Sequence, residues 1–443
     1  MNFNIPLSYY IASAALLFLC LEAFLKRNKL WAIPSIIIYL TIGMWYFTEV
    51  LYSPENLINF NPSLLSLAYI QVIIFLTSYR FLVPKTSNFF LKGKNFTTPL
   101  FPDLLTLKPH KLLLILMIVW IALFMFGVSR LNWDIYQALF PQGGRWSPQL
   151  WNRGAVGQGF DFIVSVAGYT YTWVCATFGI LIFFQKKSFF RILNFVMIFI
   201  GWPAFYLSGT RNIFLAVIMP GYLTYLLTNR QKIWIKVIIS VALFLLINYL
   251  LLIAISFRNT GISSYFEGQL VQPVGEKHLG LNMTEELLYI NSFYEAGRLQ
   301  LSYGIDYVAE LLNIIPRLLL PNKPLIGHEY NLLRNPASGI QATISAGVIG
   351  RGILNFGPWL GAVFPALLMA LWAGFLSKLW TERFSILRLS LFLVGLGITP
   401  NLGRDITLLV LWPMVFGFIL VTFLEKRYKL KSAKMNSIVT IRQ

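Results

Sequence analysis

The chain has 443 residues, of which 57% are hydrophobic, 16% aromatic and only 12% charged. A soluble domain carries about 25% charged residues, whereas here apolar runs of about 17–22 residues, long enough to cross a hydrocarbon core, recur along most of the sequence. These figures exclude a soluble enzyme, a secreted disulfide scaffold and a coiled coil, and they predict an all-α polytopic membrane protein.

Met1–Leu25 has neither a basic leader nor a small-residue cleavage site. Its positive charges follow it, at Lys26, Arg27 and Lys29, so it is expected to stay as a first span with its N-terminus outside. Eleven spans are predicted, at 5–25, 30–51, 64–83, 112–128, 163–184, 189–207, 213–227, 233–257, 358–376, 386–400 and 407–424. The chain then reads as eight spans (1–257), a large outer loop (258–357), three more spans (358–424) and an inner C-terminal tail (425–443). No internal repeat is evident. Cys20 and Cys175 fall inside spans as small packing residues, and His110, His278 and His328 lie far apart, so neither a metal site nor a cofactor is expected.

The formal charge of +19 would suit a nucleic-acid binder, but its distribution argues otherwise. The predicted inner segments carry 23 Lys and Arg against three acids, Asp103, Glu382 and Glu425, while the outer segments carry 12 of each sign. The excess therefore records orientation in a membrane. Sixteen of the 18 lysines are inner, whereas the outer cations are ten arginines with only Lys277 and Lys323. Arginine offers a planar fork that grips phosphate or carboxylate through two hydrogen bonds. The outer arginines thus suit an anionic ligand; ion pairs with the outer acids and snorkelling to headgroups are the alternatives.

In chain order, the first outer segment of interest is Ser129–Phe162, with Trp133, Trp146, Trp151, Arg130, Arg145 and Arg153. Its tryptophans could stack on sugar rings, but the enrichment of aromatics at membrane interfaces is the preferred account of them. Next, Ser208-Gly209-Thr210-Arg211-Asn212 joins two spans almost without a loop and leaves Arg211 at the mouth of the bundle. An arginine there needs a partner or a polar cavity. In the large loop, Asn282–Ala296 and Asp306–Ile315 read as helices. Asp306 is the expected N-cap of the second, Val308, Leu311, Leu312 and Ile315 form its apolar face, and Pro316 stops it. That face either lies on the membrane or packs on the bundle. Ile315-Pro316-Arg317 and Pro321-Asn322-Lys323-Pro324 follow, fixing two cations on an extended backbone. Asn355-Phe356-Gly357 opens the ninth span just after Arg351, and Gly403-Arg404-Asp405 turns between the last two, where an internal Arg404–Asp405 pair is expected.

At these elements the sequence resembles the O-antigen polymerase family of oligosaccharide repeat-unit polymerases. The likeness rests on Ser208–Asn212, on the proline-rich Ile315–Pro324 element and on Asn355-Phe356-Gly357, in that order and spacing. It departs from the family at Gly350-Arg351-Gly352, where an acid often stands. The resemblance implies a metal-independent glycosyltransferase of GT-C-like fold in the bacterial inner membrane, with short helices in a large periplasmic loop. It would move a growing glycan from an undecaprenyl pyrophosphate donor to a lipid-linked acceptor, a step of lipopolysaccharide biosynthesis, among membrane lipids and with a possible chain-length regulator as partner. No nucleic-acid partner is implied.

On that reading Arg211, Arg258, Arg317 and Lys323 surround the donor pyrophosphate, with Arg298 and Arg351 as further candidates. His328 and Glu295 are the candidate bases for the acceptor hydroxyl, since histidine suits proton transfer near neutral pH. Each has a plain alternative: His328 as a solvated loop residue, and Glu295 paired with Arg298 three residues on. Two other functions fit the architecture. A ligase moving a finished glycan from the same carrier needs the same site. A flippase needs charged groups along its spans, where only Glu22, Glu49 and Arg80 occur.

Overall fold

A computed structural model gives the architecture; it describes residues 5–91, 108–141, 148–151, 161–207, 211–229, 231–260, 263, 282–312, 315, 319–336, 344–382, 386–406 and 408–440. Among these residues the secondary structure is entirely helical. The N-terminal half forms α1 (Leu7–Leu25), α2 (Ala32–Tyr46), α3 (Thr48–Tyr52), α4 (Pro62–Leu91), α5 (Pro109–Ser129), α6 (Ile135–Leu139), α7 (Asp161–Leu181) and α8 (Ser188–Leu207). It continues through α9 (Arg211–Thr228) and α10 (Ile233–Thr260). The segment read as a large loop holds α11 (Met283–Glu295), α12 (Ile305–Leu312), α13 (His328–Arg334) and α14 (Val348–Leu360). The chain then runs through α15 (Val363–Thr381), α16 (Ile386–Leu402) and α17 (Leu408–Thr440).

A helix occupies each of the eleven apolar stretches read from the sequence. Among the described residues, six helices (α1, α4, α5, α7, α8 and α15) are long and apolar enough to cross a membrane, which is the build of an all-α membrane protein. Two expected spans are cut differently. The stretch 30–51 ends as a long helix at Tyr46, and Glu49 falls in the separate turn of α3. The stretch 358–376 is divided: Gly357, at φ +86° with Pro358 after it, kinks α14 before its end at Leu360, and α15 begins at Val363.

The chain forms two compact units. The first comprises Met1–Thr97, Glu276–Thr381 and Thr399–Val410. Its helices have a consistent direction. Tyr9 meets Tyr69 at one end of α1 and α4, and Glu22 pairs with Arg80 at the other, so these two run parallel. Gln71 donates to the Pro358 carbonyl and Thr86 to that of Ala370, which places α15 parallel to α4. In α2, Ser35 meets Tyr79 and Phe47 meets Tyr69, an antiparallel arrangement. One end of this unit therefore gathers the start of α1, α4 and α15 with the finish of α2, and α11–α14 attach there.

The second unit comprises Thr98–Gly275, Glu382–Ile398 and Leu411–Gln443. Gly179 of α7 faces Gly221 of α9, and Gly417 of α17 makes room for Trp173. Small residues at such points let apolar helices approach closely. Between α16 and α17, Arg388 bridges Glu425 (2.7 Å) and Glu382 (3.4 Å).

Candidate functional site

The polar chemistry of the first unit is concentrated where α11–α14 meet the helix ends. Six carboxyl groups are buried there, from Glu49, Glu285, Glu286, Asp306, Glu310 and Asp405, alongside the guanidiniums of Arg351 and Arg334. They form two clusters.

The first cluster is built on the start of α11, where Thr284-Glu285-Glu286 places two acids in the opening turn, favoured by the helix dipole. The Thr284 hydroxyl donates to the Tyr46 carbonyl (2.6 Å), tying α11 to the end of α2. The Glu285 backbone N–H donates to a Glu49 carboxyl oxygen (3.0 Å). Tyr330 of α13 donates its hydroxyl to Glu286. Arg334, one turn on, reaches Glu285 at 3.3 Å and Glu286 at 3.4 Å, and its guanidinium lies 3.6 Å from the Tyr289 ring centre. Two carboxyls thus share one arginine, and Glu49 meets the same helix start through the Glu285 N–H. Burial pushes Glu49 up to about 8, with the Glu285 and Glu286 charges adding to the shift, and burial also raises Glu286. Among the described residues, Glu49 Oε1 has no hydrogen-bond partner.

The second cluster centres on Arg351 in α14. Gly347, at φ +80°, begins this helix where an added Cβ would stand 2.6 Å from the Tyr46 hydroxyl. That hydroxyl accepts the Ile349 N–H (2.9 Å). Arg351 pairs with Asp405, and its Nη1 lies 3.8 Å from Glu310 Oε1. Asn355, one turn along, donates to the Arg351 carbonyl (2.8 Å) and to Asp306 Oδ2 (3.1 Å). The other Asp306 oxygen accepts the Gly327 N–H (2.8 Å). Burial pushes the Asp405 carboxyl upward, opposed by the charges of Arg351 and Arg404. The nearby carboxylates hold Arg351 protonated.

Asp306 therefore differs from the expected N-cap. The helix starts at Ile305, and the Asp306 carboxylate leaves its own helix end to latch Gly327 and Asn355. Of the two expected placements of the apolar face, packing on the bundle is not the one seen within this unit. Val308 and Leu311 are exposed, while Asp306, Ala309 and Glu310 are buried. Asp405 is taken by Arg351, with Arg404 acting on it electrostatically.

The other candidates are divided between the two units. Arg211 opens α9 and Arg258 lies near the end of α10, both in the second unit, with side chains outside the described residues. Arg317 also lies outside them. Lys323 is half-buried and donates to the Ile315 carbonyl (2.9 Å). Arg298 is exposed, with its guanidinium 5.5 Å from the Phe293 ring centre. His328 is the first residue of α13 and partly exposed, and Glu295 is the exposed last residue of α11. Trp133 is exposed and Trp151 packs 5.2 Å from Tyr171, while Trp146 falls outside the described residues.

The sequence reading passed over Glu285, Glu286, Tyr330, Arg334 and Glu310, and over the reciprocal amide pair of Gln71 and Asn291 (2.8 and 3.0 Å). Adjacent acids at the head of an apolar helix were the available signal. No protein-family model, curated protein or solved structure matches this chain. Its function must be argued from its own chemistry.

Proposed function

We propose that the protein is a polymerase of lipid-linked oligosaccharide repeat units, a metal-independent glycosyltransferase with eleven spans and a GT-C-like fold. In this reading it sits in a bacterial inner membrane, with its N-terminus and the α11–α14 segment periplasmic and its C-terminus cytoplasmic. It transfers glycan from an undecaprenyl pyrophosphate donor to a lipid-linked acceptor.

The observation that supports the reading is the gathering of polar side chains at the end of the first unit where α11–α14 attach, at the ends of apolar helices; that set is mainly acidic, and the cations assigned to the diphosphate below stand outside it. A reaction between two lipid-anchored substrates needs its chemistry at that depth. The outer bias toward arginine supports the same conclusion.

The chemical work is to stabilise charge developing on a departing diphosphate. Arg298, Arg317 and Lys323 are the candidates for it from the first unit, and Arg211 and Arg258 those from the second. Arg351, neutralised by Asp405 and Glu310, is assigned to hold the outer elements in place. His328 is the preferred base for the acceptor hydroxyl and Glu295 the second; both have solvent access.

The test is incubation of purified protein in liposomes with a synthetic lipid-linked repeat unit, with chelator and without nucleotide. A ladder of lengthened lipid-linked products is expected. Unchanged single repeat units would overturn the proposal, and transfer of one glycan to an unrelated lipid would convert it to a ligase.

A further inference from the structure

Helix α12 is amphipathic in the reverse sense for a helix facing water. Its sequence, Ile-Asp-Tyr-Val-Ala-Glu-Leu-Leu, turns the two acids inward, where Asp306 and Glu310 are each 4% exposed. Its apolar side looks outward: Ile305 is 52%, Val308 50% and Leu311 63% exposed. An aqueous surface would select the opposite arrangement.

The depth of α12 is fixed by its contacts. Ser302 and Tyr303, just before it, donate their N–H groups to the carbonyls of Leu354 and Asn355 (both 3.0 Å). Tyr307 packs against Phe356, with ring centres 6.2 Å apart, and against Phe364 at 4.7 Å. Phe364 belongs to the first turn of α15, one of the helices able to cross a membrane. The exposed face of α12 therefore lies level with the entry of that span. Trp359 and Leu360, at the same entry, are exposed apolar side chains as well.

From this we infer that α12 is an interfacial helix, with Ile305, Val308 and Leu311 inserted among the lipids at the headgroup–acyl boundary. Its polar side faces the protein and carries the carboxylates that meet Arg351 and Asn355. The bilayer thus holds down the helix that closes the Arg351 cluster. This inference needs only that α15 spans a membrane, and it stands apart from the chemistry proposed above. Apolar faces of this kind sink about 5–10 Å into the boundary region.

The test uses the unaltered protein in liposomes containing a phospholipid with a photoactivatable diazirine near the headgroup end of an acyl chain. After illumination and proteolysis, lipid adducts are expected on residues 305–312 and on Trp359–Leu360, and not on the polar helix α13. Exposed positions of α15 and α4 serve as internal controls for labelling. Adducts on α15 and α4 with none on 305–312 would overturn the inference.

A second measurement places an environment-sensitive fluorophore at Leu311→Cys, with Glu329→Cys as a water-exposed reference, both in a Cys20→Ser, Cys175→Ser background. The Leu311 probe should be quenched most by a lipid nitroxide about 5–10 Å below the headgroups, and the Glu329 probe by aqueous iodide. Equal iodide quenching at both positions would show α12 in water. Protection of the Leu311 probe from both quenchers would show a protein surface, such as a second copy, covering it. Either result overturns the inference.

Discussion

Each compact unit contains an arginine set between two carboxylates, and the two triplets differ chiefly in burial. In the first unit the side chains of Arg351, Asp405 and Glu310 are 6, 9 and 5% exposed. In the second, those of Arg388, Glu425 and Glu382 are 15, 15 and 37% exposed. Similar groups in similar geometry then play different parts. Around Arg388, water screens the charges and would solvate any partner left behind. Around Arg351 it cannot, so each member holds the others in place because the alternative is an unpaired charge in a dry site.

The sharpest test of that difference is Asp405→Asn. Removing one partner of a buried pair costs about 3–5 kcal/mol, to be read as a large loss of thermal stability in detergent. Replacing all three members together, by Arg351→Leu with Asp405→Leu and Glu310→Leu, should restore much of the loss, since no charge is then stranded. A loss below about 1 kcal/mol for Asp405→Asn, in the range of exposed pairs, would break the comparison.

The next effect concerns turnover. Arg211→Ala should slow polymer formation by about 10²–10³, the cost of losing one donor to a developing anion. Arg211→Lys should be damaging too, because a point charge replaces a fork. Glycan chain lengths in cells and rates with purified protein both report it. Arg351→Lys should instead act mainly on thermal stability. Normal stability with abolished turnover in Arg351→Lys would move that residue from the scaffold into the substrate site.

These expectations divide along the line between what was legible in the sequence and what was not. The helical class and the positions of the apolar helices followed from hydropathy alone, because an uninterrupted apolar run has few other ways to satisfy its backbone. The break at Gly357-Pro358 was written in two residues, yet the Asn-Phe-Gly element was read as the opening of a span, whereas it leads into a kink inside α14. The clusters were harder to see because they are built across long sequence separations. Glu49 meets Glu285, and Arg351 meets Asp405, only after the ends of α2, α11, α14 and α16 are brought to one level. Asp306 shows why local rules fail at such a place. Its spacing suited a helix cap, but Asn355 and the Gly327 N–H compete for the carboxylate and win it.

Glu49 sharpens the comparison from another side, as a buried carboxyl that meets the Thr284 and Glu285 backbone and the charges of two further acids. Its ordinary value of 4.5 is pushed up to about 8 in the fold. Between those values the folded protein binds the proton more strongly than the unfolded chain. Stability should therefore fall as pH rises from about 4.5 to about 8 and level off beyond. In Glu49→Gln that part of the slope should vanish, making the variant the more stable form at pH 9 in thermal unfolding. Parallel pH profiles for the two proteins would mean that Glu49 is ionised throughout.

The smallest effect is expected at Glu382, the most exposed member of the Arg388 triplet. Glu382→Gln should change stability by roughly 0.2–1 kcal/mol, with the difference shrinking as salt is raised. Glu425→Gln should cost more, since Glu425 makes the shorter contact and accepts from both Nε and Nη2 of Arg388. The ratio of these two effects, set beside that of Glu310→Gln to Asp405→Asn, measures how strongly burial couples a second acid to an arginine that already has one. Around Arg351 the second acid lies at 3.8 Å and is buried, so its removal should be felt although the contact is longer than the 3.4 Å between Arg388 and Glu382. If Glu382→Gln proves the costlier of the two, distance and not desolvation sets the strength of these networks.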